Sequence, residues 1–188
     1  MVKFEKVKRF ADVDLPMPKR STEDSAGYDF VVAEDTILPP YDFFKDKIHD
    51  AIMKEAPDTD FYGFIKPLTL EKVAALTKEL KAKIPLVSTG MKCYLEPGQY
   101  LELSARSSTP LKHWLIIGNS IGIIDKDYAD NPDNEGEIFF QIINLLPFAV
   151  ELKRGERIGQ GIIKRYEVTD DDVATGKRIG GHGSTGQQ

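Results

Sequence analysis

Residues 86–104 read LVSTGMKCYLEPGQYLELS, two stretches of alternating apolar and polar residues on either side of the tripeptide Glu96-Pro97-Gly98. Alternation with a period of two is typical of half-buried β-strands, and the Pro-Gly pair is a strong turn signal. The segment therefore predicts one strand over Leu86–Leu95, a turn, and a second strand over Tyr100–Ser104.

The same pattern recurs through most of the chain. Short patterned runs separated by Pro, Gly and Asp or Asn predict further strands at Val2–Phe10, Tyr28–Ala33, Ile121–Ile124, Glu137–Asn144, Val150–Leu152 and Ile158–Tyr166. Another turn signal lies at Lys153–Glu156. Many short strands with regular turns are typical of a sandwich or barrel of antiparallel strands, so we expect an all-β core.

About residues 42–84 break this rhythm. Apolar residues recur there at helical intervals, and Thr69 is placed to be the N-cap of a stripe that runs from Leu70 to Ile84. We expect a helical insertion between strands. It is either a structural elaboration packed on the barrel or a docking surface for a partner or a neighbouring subunit.

Composition excludes several classes of function. The 188 residues, 41% hydrophobic, fit one domain with an insertion, and a net charge of -5 disfavours a binder of nucleic acid or of an acidic membrane. The single cysteine, Cys93, excludes an intrachain disulfide and a multi-cysteine metal site. No run approaches the ~20 apolar residues of a membrane span, and the N-terminus lacks a signal-peptide core. We therefore expect a cytoplasmic protein.

A polar cluster, Asp125–Tyr128, follows the glycine-broken and β-branched run Gly118–Ile124. A carboxylate at the end of a strand can hold a water and accept its proton during attack on an electrophile, which makes Asp125 the candidate general base. An Asp in this position is also an ordinary turn residue. The assignment therefore depends on other polar groups.

Two other stretches suit the oxygens of a phosphate chain. Arg106–Thr109 puts a cation beside three consecutive hydroxyls, and the glycine-rich tail over 177–188 offers backbone N–H groups beside Ser184. Each stretch alone also fits a local cap or a disordered tail. A polyphosphate substrate normally has Mg²⁺ bound to it. Asp29 is the candidate carboxylate that contacts this ion through a water.

Taken in order, five stretches resemble the five ordered motifs of the homotrimeric dUTP pyrophosphatase (dUTPase) family. They are DSAGYDF (24–30), ARSSTP (105–110), GNSIGIIDKDY (118–128), RIGQ (157–160) and GGHGSTG (180–186). Single motifs arise by chance, whereas five in the right order are highly specific. The resemblance covers about residues 1–40 and 85–188, and an insertion such as 42–84 looks more like those of phage-encoded members.

The resemblance implies an all-β, jelly-roll-like barrel over residues 1–176 and a glycine-rich C-terminal arm over 177–188, assembled as a homotrimer. It implies hydrolysis of dUTP to dUMP and pyrophosphate with Mg²⁺. The three active sites would lie between subunits, and an arm would close over each of them as a lid. A phage-encoded member would work in the host cytoplasm.

The resemblance also implies roles for individual residues. Asp125 activates the water that attacks the α-phosphorus, and Tyr128 packs against the deoxyribose so that a 2′-hydroxyl clashes. The implied substrate contacts are Arg106, Ser107, Ser108 and Gln160 at the phosphates, Asn119, Gly122 and Ile124 around the uracil, and Arg178, His182, Gly183 and Ser184 in the arm. Asp29 orients a water on Mg²⁺.

Three departures from the family pattern bear on the site. His182 stands where the family usually has Phe, so stacking on uracil is weaker and closure of the arm becomes sensitive to pH. Lys177 and Arg178 are both candidates for the γ-phosphate ligand. The loop Asp130–Glu135 interrupts the usual short step from the tyrosine to the next strand, which leaves the geometry after Tyr128 open.

Two other functions compete with this one. A dCTP deaminase shares the fold and an Arg-Ser-Ser motif, but it needs a catalytic glutamate in a Thr-Leu-Glu pattern that Glu137–Gln141 lacks. A dUTPase-like regulatory protein would use the helical insertion to capture a partner. The glycine-rich arm and the Asp125–Tyr128 cluster favour the hydrolase.

Overall fold

The structure is a computed structural model that describes residues 1–41, 50, 70–79, 84–178 and 180. Its strands are β1 (Lys3–Lys6), β2 (Lys19–Arg20), β3 (Tyr28–Val31), β4 (Thr36–Leu38), β5 (Leu86–Ser88), β6 (Met91–Tyr94), β7 (Gln99–Ser104), β8 (Leu115–Ile117), β9 (Gly122–Asp125), β10 (Phe139–Asn144), β11 (Val150–Leu152) and β12 (Arg157–Arg165). Its helices are α1 (Leu70–Glu79) and α2 (Ser108–His113), with 3₁₀ turns at Lys8–Phe10 and Lys126–Tyr128.

All strand pairs of the described residues are antiparallel, as the regular turns predicted. The largest sheet has the order β2-β3-β12-β7-β9, and a three-stranded sheet has the order β5-β10-β8. Two strand pairs, β1-β6 and β11-β4, complete the described architecture. The all-β fold class is therefore confirmed.

One continuous core of buried apolar side chains joins these sheets. Phe30 of β3 and Phe140 of β10 come from different sheets, and their ring centroids lie 5.9 Å apart at an interplanar angle of 61°. Gly159 of β12 leaves room for this contact, because a Cβ there would lie 2.2 Å from the ring of Phe140. Burying a large apolar side chain contributes about 1.5–3 kcal/mol, so such contacts dominate the stability of the barrel.

Two predicted strands are wrong in their extent. The strand predicted over Val2–Phe10 ends at Lys6, because the chain then turns into the first 3₁₀ turn and buries Phe10. The strand predicted over Leu86–Leu95 is two strands, β5 and β6, separated by Thr89 and Gly90. Since β5 pairs with β10 and β6 pairs with β1, the chain changes sheets at this point.

Three strands were not predicted. Both residues of β2 are exposed and charged, β4 has three residues, and β8 is a continuous apolar run, so alternation reveals none of them. The helix α1 confirms part of the predicted insertion, although Ile84 lies beyond its end. Residues 42–49 and 51–69 of the predicted insertion, Thr69 among them, fall outside the described residues, and the boundary between barrel and arm at 176/177 stays a prediction.

A search of the described residues for a helix long and apolar enough to cross a membrane finds none.

Candidate functional site

Asp125 is the last residue of β9, as predicted for the candidate base. Burial alternates along this strand, with Gly122 and Ile124 facing the core while Ile123 and Asp125 are exposed. Within the described part of the chain, β9 is the edge strand of the five-stranded sheet, paired with β7. A rigid edge strand therefore presents the Asp125 carboxylate, 52% exposed, to solvent.

The arm residue Arg178 reaches this carboxylate. One guanidinium nitrogen lies 2.5 Å from Oδ2 of Asp125, and Nε donates to Oδ1 of Asp127 at 2.9 Å. The guanidinium carbon lies 5.6 Å from the ring centroid of Tyr128. The structure thus brings together Asp125, Tyr128 and Arg178, while Lys177 is exposed. It adds Asp127, which the sequence analysis did not assign.

Tyr128 is buried, with 5% of its surface exposed. Its hydroxyl donates to the carbonyl of Glu137 at 3.0 Å. Burial raises the pKa of this phenol, so it is protonated at neutral pH. The side chain therefore offers a neutral aromatic surface to the site.

A second group of predicted residues gathers around Asp29. Its Oδ1 accepts from Nε of Arg106 at 2.8 Å, and its Oδ2 accepts from Ser21 Oγ at 3.1 Å and from Arg157 at 3.4 Å. Asp29 lies inside β3, which is paired on both sides by β2 and β12. Ser21 and Arg157 were not assigned from the sequence.

Gln160 and the serines of the second motif lie beside this group. Gln160 of β12 pairs with Asp29 on one side and with Ser104 on the other, and its Nε2 donates to the carbonyl of Ala105 at 3.2 Å. Ser107 is exposed just before α2, and Ser108 Oγ accepts from Arg106 at 3.5 Å. Hydrogen bonds thus join Arg106 to Asp29 and Ser108, Gln160 lies beside Asp29 in the sheet, and Ser107 adjoins this group along the chain.

A cavity of about 370 Å³ adjoins this group. Arg106 and Arg157 line it together with His113, and apolar side chains such as Leu115 and Ile158 form its walls. Glu151 and Glu156 also line the cavity, so two carboxylates balance the two guanidinium groups there. The suitability of Arg106 and Arg157 for phosphate therefore rests on their N–H groups, which bond phosphate oxygens in pairs.

The Asp125 and Asp29 groups are separate within one chain. Both groups lie beside β7. Tyr100 of this strand pairs with Asp125, and Ser104 pairs with Gln160 of the Asp29 group. Four residues of extended strand span ~13 Å. The two groups therefore lie toward opposite ends of the same strand.

Asn119 lies in the exposed turn between β8 and β9. The turn is closed by hydrogen bonds from Ser120 N to the Ile117 carbonyl at 3.1 Å and from Ile121 N to the Asn119 carbonyl at 2.6 Å. Ser120 has a φ of 61°, which brings the chain round sharply. The structure thus places Asn119 in the turn that leads into β9, the strand that ends at Asp125, whereas His182, Gly183 and Ser184 lie outside the described residues.

The residues present fit Mg²⁺ bound through water. Among the described residues no cluster of three or more His, Cys, Asp or Glu side chains suits direct ligation of a metal. The Asp29 carboxylate accepts the three hydrogen bonds given above, and a carboxylate has about four acceptor positions. One position therefore remains for a metal-bound water.

Comparison with known proteins agrees with the fold described above. The dUTPase family model matches residues 70–186. The deoxyuridine 5′-triphosphate nucleotidohydrolase of Lactococcus lactis subsp. lactis is 35% identical, over 97% of this chain and 96% of that protein. The solved dUTPase of Streptococcus mutans is 34% identical, has a TM-score of 0.64, and aligns over 89% of this chain and 98% of its own. These similarities confirm the jelly-roll-like fold.

More distant similarity extends to phage proteins. A dUTPase from phage phi11 of S. aureus is 14% identical with a TM-score of 0.58, over 94% of this chain and 97% of that one, and its structure reveals the coordination of a structural Mg(II) ion. At this identity the likeness concerns the fold alone. The phage-type character expected from the insertion stays a prediction.

Proposed function

Because this chain belongs to the dUTPase family, we propose that it hydrolyses dUTP to dUMP and pyrophosphate. The observation that carries the proposal is the exposed Asp125 carboxylate at the end of β9, beside the buried ring of Tyr128 and the arm residue Arg178. Here the Asp125 carboxylate, the aromatic ring of Tyr128 and the guanidinium of Arg178 would act on one nucleotide.

The proposed chemistry begins with a water held by Asp125. As the water oxygen bonds to the α-phosphorus, its proton passes to the carboxylate, and the bond from the α-phosphorus to the bridging oxygen breaks to release pyrophosphate. A positioned general base contributes about 10²–10⁴-fold to such a step. Arg178 donates to Oδ2 of Asp125, and the carboxylate is still 52% exposed, so a water can reach it beside the arm.

The Asp29 group supplies the phosphate contacts in this proposal. Arg106, Ser107, Ser108 and Gln160 donate to the phosphate oxygens, and Arg157 adds a second guanidinium at the same cavity. Asp29 orients the Arg106 fork through its bond to Nε, which leaves the terminal nitrogens for substrate. The fixed positions of these donors cost no reorganisation during the reaction.

Mg²⁺ is the proposed cofactor. Asp29 would hold it through a water at its remaining acceptor position. When bound, the ion neutralises part of the charge of the phosphate chain.

The separation of the two groups favours active sites shared between copies of the chain. The base and the phosphate donors of one chain lie toward opposite ends of β7, and this separation supports a site that combines Asp125 of one copy with Arg106 of another. We assign this arrangement to a homotrimer with three intersubunit sites. The arm residues Arg178, His182, Gly183 and Ser184 would close over each site and exclude water.

The turn between β8 and β9 would read the base. Asn119, the backbone around Gly122 and the adjoining Ile124 would bond the uracil edge, and cytosine would leave a buried donor or acceptor unpaired there. Such a group costs about 1–3 kcal/mol, which is enough for strong selectivity between two similar bases.

Of the two alternatives, the deaminase is weaker on the structure. A deaminase would need a free glutamate in the strand after the third motif, but the buried Glu137 carboxylate accepts from Ser88 Oγ, from Gly90 N and from Arg9. A partner-binding role would use the insertion over about residues 42–84. Replacing residues 43–84 by a short linker tests that role, which predicts retained turnover with loss of partner capture.

A nucleotide panel tests the proposed function directly. The protein is incubated with dUTP, dCTP, UTP and dTTP in the presence of Mg²⁺, and pyrophosphate and ammonia are both measured. Pyrophosphate from dUTP alone supports the hydrolase. Ammonia from dCTP would establish the deaminase instead, and an intact dUTP pool would refute the proposal.

A further inference from the structure

Residues 129–136, here called the tyrosine loop, connect Tyr128 to β10. The loop folds back on itself, with Asp130 N donating to the Glu135 carbonyl at 2.9 Å and Glu135 N donating to the Asn131 carbonyl at 3.0 Å. Asp130 and Glu135 have φ angles of 59° and 58°, in the left-handed region that non-glycine residues rarely adopt. Such a conformation persists only where surrounding contacts hold it.

Asn134 supplies one of these contacts to Tyr128. Its Nδ2 donates to the tyrosine hydroxyl at 2.8 Å, while its Oδ1 accepts from Asn131 Nδ2 at 2.7 Å and from Gly136 N at 3.0 Å. The two donors at Oδ1 determine the orientation of the amide. The hydroxyl of Tyr128 therefore accepts from Asn134 and donates to the Glu137 carbonyl, both within the protein.

Asn131 holds the other end of the same residue. Its side chain is buried, its Nδ2 donates to the backbone carbonyl of Tyr128 at 2.8 Å, and its Oδ1 accepts from Asp133 N at 3.1 Å and Asn134 N at 3.2 Å. Gly136 permits the loop to come this close. A Cβ there would lie 2.6 Å from the Tyr128 carbonyl oxygen, and its φ is +81°.

These contacts limit how Tyr128 can act on a nucleotide. With its hydroxyl bonded on both sides, its means of recognition is the ring, whose face Arg178 covers at 5.6 Å. When the arm lifts, this face becomes available to a sugar. A ring rejects a 2′-oxygen by steric overlap, which depends on its position to within about an ångström.

We propose that Asn134, supported by Asn131, is a positioning residue for Tyr128 and sets the discrimination between deoxyribo- and ribonucleotides. The inference rests on the proposed function and deepens it. A buried and fully bonded polar network rigidifies the groups it joins. The tyrosine loop departs from the family pattern, and its contacts hold the ring of Tyr128 that contacts the sugar.

The variant Asn134→Asp tests this role with little change of shape. It retains the acceptor Oδ1 for Asn131 and Gly136 but replaces the donor to Tyr128 by an acceptor. We expect the ratio of kcat/KM for dUTP to that for UTP to fall about tenfold, the size of effect that a loosened pocket wall has on one extra group. Most of the change should be a gain on UTP, with kcat for dUTP nearly unchanged.

A matched control comes from the same loop. Pro132 is exposed, so Pro132→Ala should leave the ratio of dUTP to UTP efficiency as in the wild type. In Tyr128→Phe the hydroxyl is absent, so Asn134→Asp should add nothing to the loss of discrimination in that background. This non-additivity separates positioning through the tyrosine from a general loosening of the fold.

Each outcome decides the matter. If Asn134→Asp hydrolyses dUTP but keeps the wild-type ratio, or if its effect adds fully to that of Tyr128→Phe, the positioning role is wrong while the proposed function stands. If Asn134→Asp does not fold, Tyr128→Phe alone must lose discrimination, and an unchanged ratio overturns the proposal. A wild-type protein that leaves dUTP intact refutes the proposed function, and this inference with it.

Discussion

Nε of Arg106 donates to Oδ1 of Asp29 at 2.8 Å, joining two motifs that lie 77 residues apart in the chain. The bond links the candidate Mg²⁺ carboxylate to the candidate phosphate donor, so each orients the other. Arg157 approaches the same carboxylate at 3.4 Å and brings in the fourth motif. One carboxylate thus organises two cations around a cavity.

Arg106→Lys tests the fork geometry of this pair. A lysine retains the charge but lacks the planar fork, so it cannot bond Asp29 and a phosphate together. We expect KM for dUTP to rise about tenfold, equivalent to about 1.4 kcal/mol of binding. The melting temperature should change little, because the side chain is partly exposed. An unchanged KM would remove Arg106 from the phosphate site.

Gly159→Ala tests the contact on which the two main sheets meet. The added Cβ would overlap the ring of Phe140, and overpacking of a core typically costs about 1–3 kcal/mol. Urea unfolding should show this loss. In a Phe140→Leu background the same substitution should cost less, because the ring is gone. Equal costs in both backgrounds would contradict the packing described.

Asp130 gives stability that depends on pH. Its hydrogen bond with Lys92 lowers the pKa of the carboxyl below its ordinary value. A lowered pKa in the folded state means that the contribution is complete above the unfolded value of about 3.9 and is lost as pH falls through the folded value. The free energy of unfolding of Asp130→Asn should therefore lie below that of the wild type at pH 7, and the difference should shrink as pH falls below about 3.9.

The control for this prediction is Lys92. Its side chain is 9% exposed, so removal of Asp130 leaves a nearly buried ammonium group with a partner missing. Lys92→Met combined with Asp130→Asn should recover stability at pH 7. A difference between wild type and Asp130→Asn that persists undiminished at pH 3 would show that the ion pair is not its source.

Much of the barrel follows from local patterns. Alternation located β7, β10 and β12 to within a residue or two because each has one face on the core. The break between β5 and β6 could not be predicted from local patterns, since the change of sheet depends on partner strands far along the chain. The strand β8 could not be predicted either, because its continuous apolar run shows no alternation.

Some residues of the candidate site could likewise be predicted from the sequence, and others could not. Motif order pointed to Asp125, Arg106 and Gln160, and the structure places Arg106 and Gln160 in one group and Asp125 in another. The contacts of Asn134 and Ser21 had no sequence signal, because each reaches its partner through a turn or across a sheet. Amide-rich loops commonly bond their own backbone, and nothing in the sequence distinguishes those that also hold an aromatic ring.

Truncation after Gly176 tests the role of the arm. The deletion removes Arg178 and its contacts with Asp125 and Asp127, but none of the buried apolar side chains of the described core. We expect turnover of dUTP to fall at least tenfold, since the lid no longer excludes water or completes the charges around the phosphates. The melting temperature should stay within a few degrees of the wild type. A large drop would instead make the arm part of the fold.

The most direct test of the account is the turnover of Asp125→Asn with dUTP and Mg²⁺. The amide has the size of the carboxylate but cannot accept the proton of the attacking water. We expect kcat to fall by about 10²–10⁴-fold while dUTP still binds, as measured by calorimetry. Turnover equal to that of the wild type would contradict the assignment of Asp125 as the general base and the mechanism built on it.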